Sequence, residues 1–148
     1  MKSTLITIFF LLFFNTEISE KIDSIESEEV NSFFEEKLEL TLENVYHMII
    51  EHKIHHPKIV FSQVILETGH LKSGGARIHN NLFGFTTHNG HMKFETWVES
   101  VEYYKKWQEK RYVEKKYDDY YDFLTQINYA EDTLYIQKLK SINKRLDI

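Results

Sequence analysis

The sequence predicts an α+β domain, mostly helical, with one small β-hairpin inserted near its middle. Three observations carry that expectation. Apolar residues recur at three-and-four spacing in several segments after residue 40, which is the period of a buried helix face. A lone Asn-Gly pair, Asn89-Gly90, separates two short segments in the way a hairpin turn does. With 148 residues, 42% hydrophobic and 15% aromatic, the chain is long enough for one ordinary core.

The elements follow in order. Lys2 precedes an apolar run from Leu5 to Phe14, interrupted by Thr7. The run is short for a bilayer span and suits an export signal, so residues 1–19 read as a signal peptide cut between Asn15 and Ser19. An uncleaved anchor or a membrane-edge helix is the competing reading. Residues 20–40 are acidic and polar, with Phe33 and Phe34 as their only aromatics, and read as a spacer or N-terminal helix without chemistry. The folded domain is expected over 41–148, acting as a monomer with no stable membrane span once the signal is removed.

Thr41 is placed to cap a helix whose stripe is Leu42, Val45, Tyr46, Ile49 and Ile50, ending near Lys53. Pro57 suits the first position of a second helix, because its missing N–H costs nothing there. That helix runs through Val60, Phe61, Val64 and Ile65 towards Gly69. Gly74 and Gly75 predict a loop continuing through Ile78, His79 and Asn80. Asn89-Gly90 predicts a type I′ turn between Phe85–His88 and His91–Phe94. Thr96 and Glu99 form a capping box for a helix from Trp97 through Val101, Tyr104 and Trp107 to about Tyr112. Asp118 or Asp119 opens another through Phe123 and Leu124, with Asn128 taking the left-handed closing position. Asp132 or Thr133 caps the last, whose inward stripe is Leu134, Tyr135, Leu139 and Ile142.

Composition excludes several functions. A net charge of −5 argues against nucleic acid as a partner, despite the Lys and Arg between Lys105 and Lys116. Without cysteine there is no disulfide framework and no thiolate metal site. Among the eight histidines, neither His55-His56 nor the pair His88 and His91 has a third ligand at coordinating spacing, so no metal and no cofactor are expected.

Glu67 is the acid out of place. It shares a face of the second helix with Val60, Gln63 and Val64, where desolvation raises a carboxyl's pKa and lets it hold a proton near neutrality. A glycosidic leaving oxygen needs such a donor. Periodicity alone favours the plainer alternative, an acid at the exposed helix end beside Gly69 or paired with a lysine or histidine.

Three ordered segments reverse that balance: Gln63-Val64-Ile65-Leu66-Glu67-Thr68-Gly69, then Asn80-Asn81-Leu82-Phe83-Gly84, then Tyr129-Ala130-Glu131-Asp132-Thr133-Leu134-Tyr135. Together they resemble the glucosaminidase domain of glycoside hydrolase family 73, over about Thr41 to Leu146. The resemblance implies a lysozyme-like fold and an endo-β-N-acetylglucosaminidase that cuts the β-1,4 bond after N-acetylglucosamine in peptidoglycan strands. It also implies that Glu67 is the catalytic acid and that Tyr129 stands beside it. Such an enzyme works outside the cytoplasm, in the periplasm or cell wall.

The remaining site residues are expected as follows. Asn81 suits an acetamido group, with Asn80 beside it, and Phe83 packs the same loop. Glu95, the acid before the helix that Glu99 caps, is the candidate second carboxylate across a cleft. A mechanism assisted by the substrate's own acetamide would need no second acid. His70 stands where the family often has tryptophan, which removes a stacking surface. Thr133 and Asn128 replace a proline and a glycine conservatively. Trp97 and Tyr103 are the aromatics to examine for glycan contact, and Tyr135 reads as packing. Two rivals stand beside the hydrolase: a lytic transglycosylase, and a silent wall-binding module.

Overall fold

Capping chemistry sets most of the helix starts. The computed structural model describes residues 39–148, so the expected signal and most of the acidic segment lie outside the described residues. Thr41 Oγ1 accepts from the Asn44 amide at 3.1 Å and opens α1, Leu42–Glu51. Its buried face carries Val45, Met48 and Ile49. Pro57 opens α2, Pro57–Thr68, as its position predicts.

Helix α2 is the centre of the domain. Val60, Phe61, Ser62, Gln63, Val64 and Ile65 are all buried in succession, so nearly every face meets protein. The two hydroxyls on it return to their own helix: Ser62 Oγ donates to Lys58 O at 2.9 Å and Thr68 Oγ1 to Val64 O at 2.6 Å.

Two loop expectations are corrected. Gly74-Gly75 does not make a loop but the first turn of a short helix, α3, Gly74–His79. Ser73 Oγ caps it by accepting from Ala76 N at 3.2 Å, and Ala76 is fully buried, so cap and burial together override the poor helix propensity of glycine. The hairpin is present but its turn sits one residue earlier than predicted. Strand β1, Thr86–Thr87, pairs antiparallel with β2, Gly90–His91, with Thr86 opposite His91 and Thr87 opposite Gly90. His88 and Asn89 are therefore the loop, and Gly90 alone among the three has positive φ, +108°. A type I′ turn needs two such residues, whereas a closing left-handed residue needs one.

Helix α4, Trp97–Arg111, begins where the capping box predicts: Thr96 Oγ1 accepts from Glu99 N at 3.3 Å. The Glu99 carboxylate takes the amide of Glu95 at 3.0 Å. After a short 3₁₀ turn at Glu114–Lys116, Asp119 caps α5, Tyr120–Gln126, and Asn128 closes it with φ +52°. The last helix, α6, Tyr135–Arg145, starts later than expected. Asp132 does not cap it directly; its carboxylate takes the Leu134 amide at 2.9 Å and Lys138 Nζ at 2.6 Å. Leu134 is exposed, outside the inward stripe, while Tyr135 and Leu139 are buried. Helix α6 packs most extensively on α2, which also contacts α1 and α3. The result is the expected α+β, lysozyme-like class of fold: helices around α2 and one small hairpin. Among the described residues no helix is long and apolar enough to cross a membrane.

Asn81 ties the hairpin to this core. Its Nδ2 donates to Phe85 O at 2.8 Å and Met92 O at 3.0 Å, and its Oδ1 accepts from Phe85 N at 3.1 Å. The side chain is buried, so Asn81→Ala strands backbone groups that water cannot easily reach. We expect it to cost about 1 to 3 kcal/mol in chemical denaturation, with amide exchange accelerated first at residues 85–92.

Candidate active site

Glu67 occupies the last turn of α2, half-buried, at one end of a groove of about 540 Å³. The other walls are the Phe83–Thr86 segment, the end of α4 through Trp107 and Arg111, and the loop Ile127–Glu131. A volume of this order is that of a small-ligand site.

The carboxyl is held away from water by its neighbours. Burial raises its pKa above the ordinary glutamate value, and the neighbouring Tyr135 hydroxyl opposes that rise without cancelling it. Gly84 is the closest backbone. It has φ +69°, which strains any residue with a side chain, and a Cβ there would crowd Glu67 Oε2 at 3.0 Å, so the carboxyl would have to give by a few tenths of an ångström.

Tyr129 forms the facing wall. Its hydroxyl donates to Phe83 O at 3.0 Å, and its ring lies edge-on to Trp107 at 5.5 Å and stacked on Tyr135 at 5.7 Å. Burial, with Tyr135 and Glu67 adding to it, pushes its pKa far up, so the phenol keeps its proton. It is a fixed neutral group, not a base.

The other sequence-predicted residues are dispersed. Phe83 contributes backbone to the groove while its ring is buried against Tyr104 at 4.2 Å. Asn81 lies beneath the site, with both amide hydrogens spent on the hairpin, so the expected acetamido contact has no free donor. Asn80 closes α3 and donates to Phe94 O at 3.2 Å and Glu95 O at 2.8 Å. Neither Glu95 nor His70 lines the groove; both are exposed, and His70 follows Gly69 with φ +61°. Trp97 is buried, whereas Tyr103 is exposed beside Phe85 and Phe94.

One residue behind the groove, Tyr135, and two that line it, Glu131 and Arg111, are not singled out by the sequence. Tyr135, which reads as packing by its helical spacing, meets Gln63 at 3.3 Å from a helix far along the chain, and no local spacing announces such a contact. Glu131 is the second carboxylate that lines the groove. It lies inside the third matched segment, whereas the sequence expectation for a second carboxylate rests on Glu95. Arg111 places its guanidinium 5.4 Å from the centre of the Trp107 ring, giving the groove a cationic wall. Among the described residues no group of His, Asp or Glu is arranged to hold a metal ion.

Residues 43–148 match the family Glucosaminidase, described as mannosyl-glycoprotein endo-beta-N-acetylglucosaminidase. The chain belongs to the glucosaminidase family. The match spans all of the groove-lining segments, from Glu67 to Glu131. The family description makes this a glycosidase domain with a glycan substrate. No curated protein and no solved structure matches the chain.

A glutamate with raised pKa weakens the fold once it must ionise. The stability associated with protonated Glu67 is complete below the carboxyl's unfolded pKa and is lost as pH rises through its folded pKa. Glu67→Gln is therefore expected to gain stability relative to wild type with rising pH and to level off above the Glu67 titration. Urea denaturation from pH 4 to pH 8 reads this, and a stability difference independent of pH contradicts it.

Proposed function

We propose that the protein is an exported, monomeric peptidoglycan hydrolase, an endo-β-N-acetylglucosaminidase that cleaves the β-1,4 bond after N-acetylglucosamine. The observation that carries this reading is the half-buried Glu67, favoured in its acid form and opening into a groove of glycan size within a glucosaminidase domain. Export rests on the apolar run Leu5 to Phe14.

In the proposed reaction Glu67 protonates the leaving glycosidic oxygen as the bond to the anomeric carbon breaks. Partial burial beside Gly84 and Tyr129 favours the acid form of the carboxyl until a sugar is bound. Tyr129, its hydrogen committed to Phe83 O, offers oxygen lone pairs and a ring face to the sugar at the cleavage point. Of the acids, Glu131 is the one that shares the groove and is the better placed to handle the attacking water, with Glu95 further away outside the lining. The cationic wall at Arg111 suits a glycan that carries carboxylates, as peptidoglycan does through its muramic acid and peptide stems.

Digestion of purified cell walls tests the proposal. Wild type should release reducing N-acetylglucosamine ends, and Glu67→Gln should lower that release at least about 100-fold, the lower range for loss of a general acid. Ends in 1,6-anhydromuramic acid would replace the hydrolase with a lytic transglycosylase. Equal clearance by wild type and Glu67→Gln would remove the enzyme reading, and cleavage of a mannosyl glycoprotein with walls left intact would replace the substrate. Comparing Glu131→Gln with Glu95→Gln under the same assay locates the second carboxylate: we expect the larger loss at Glu131.

A further inference from the structure

A line of buried polar side chains leads from the α1–α2 connection to Glu67. It begins at Gln108 on α4, whose side-chain amide is clamped on the backbone of one residue: Oε1 accepts from His55 N at 2.8 Å and Nε2 donates to His55 O at 2.9 Å. Backbone groups cannot exchange roles, so this clamp fixes which end of the amide is which. The second Nε2 hydrogen goes to Tyr120 Oη at 2.9 Å. Tyr120 and Tyr104 share a hydrogen bond of 2.7 Å, and Tyr104 Oη lies 2.6 Å from Gln63 Oε1. Gln63 Nε2 then donates to Tyr135 Oη at 3.3 Å. Gln63 is one turn before Glu67 on α2, so both side chains face the same tyrosine of α6.

The direction of every hydrogen along this line follows by elimination. Tyr120 already receives one hydrogen from Gln108. If it also received one from Tyr104, its own would have no acceptor among the described residues, inside a fully buried site. Tyr120 therefore donates to Tyr104, Tyr104 to Gln63 and Gln63 to Tyr135, so the Tyr135 hydroxyl keeps a hydrogen that this line does not use, with Glu67 one turn from Gln63 on the same helix.

We propose that this one-way chain, anchored by Gln108 on the His55 backbone and running through Tyr120, Tyr104 and Gln63, fixes the Tyr135 hydroxyl as a donor to Glu67. These residues position the carboxyl and set the pH at which it gives up its proton, without touching substrate. The inference deepens the proposed reaction and its catalytic meaning rests on that reading. The titratable and charged groups facing Glu67 are Tyr135 from α6, Tyr129 and Glu131 from the α5–α6 loop, and Arg111 from α4, with Tyr104 from α4 and Tyr120 from α5 behind them. Of these Tyr135 is the one that lowers the carboxyl's pKa, against the larger effect of burial.

The test is a carbon NMR titration of the Glu67 carboxyl in the full chain, run beside a pH profile of kcat/KM on cell walls. Tyr135→Phe should move the titration midpoint up by about one pH unit, the scale of one hydrogen bond to a charged group. Tyr104→Phe keeps the ring against Phe83 and Trp107 and removes only the hydroxyl, whose hydrogen bonds go to Gln63 and Tyr120. It frees the Gln63 amide to turn over and accept from Tyr135, so it should move the midpoint in the same direction by less. In the double variant, Tyr104→Phe should add nothing to Tyr135→Phe. A Tyr104→Phe midpoint equal to wild type, or a fully additive double variant, overturns the chain. In unmutated protein the Tyr135 hydroxyl proton should shift in step with the Glu67 titration, and a resonance indifferent to it overturns the chain without any variant. The alkaline limb of the pH profile should follow the midpoint. A midpoint that moves while the limb stays supports the chain and defeats Glu67 as the acid.

Discussion

Everything in this domain answers to one constraint: α2 is buried on nearly every side yet carries Gln63 and Glu67. Polar groups in such surroundings must be hydrogen-bonded or they destabilise the fold by as much as several packed side chains stabilise it. The partners come from three helices, Tyr104 and Gln108 of α4, Tyr120 of α5 and Tyr135 of α6. Packing alone would let those helices slide by small amounts around an apolar rod. Hydrogen bonds of 2.6 to 3.3 Å admit little sliding, so the polar line fixes the register of the bundle about α2.

The groove inherits that register. Its walls are drawn from the end of α2, the end of α4, the Phe83–Thr86 segment and the Ile127–Glu131 loop, which are distant in sequence and meet only in the folded state. Aromatic rings fill the space behind them, Trp107 against Phe85, Phe123 and Tyr129 among others. Such contacts contribute mainly through buried area, with a further preference for tilted and edge-on geometry. The desolvated setting that raises the pKa of Glu67 is therefore built by the same residues that hold the fold together.

Much of this was legible in the sequence because it is local. Thr41, Thr96 and Asp119 announce helices by chemistry that acts within three residues, and Pro57 does so by its fixed φ. Where local rules compete, reading failed: the Gly74-Gly75 pair looked like a loop, but a serine cap and a buried alanine made it helical. The Asn-Gly signal located the hairpin and misplaced its turn by one residue, since one left-handed glycine closes the loop that two would have. Glu67 itself stood out as an acid in an apolar stretch. Its partner did not, because Tyr135 obeys a helical stripe equally well as plain packing, and its tie to Gln63 spans 72 positions. Asn81 misled in the opposite direction. An asparagine near a hairpin looks available, and only the folded backbone reveals that its amide is occupied.

The bond from the Tyr129 hydroxyl to the Phe83 carbonyl joins opposite banks of the groove at a single point. Phe83 cannot yield there, because its ring is wedged in the core, and Tyr129 cannot, because its ring is held by Trp107 and Tyr135. The channel beside Glu67 thus behaves as a fixed gauge and not as a hinge. On the proposed reading, a glycan strand would meet a passage of set width there, whatever groups it carries.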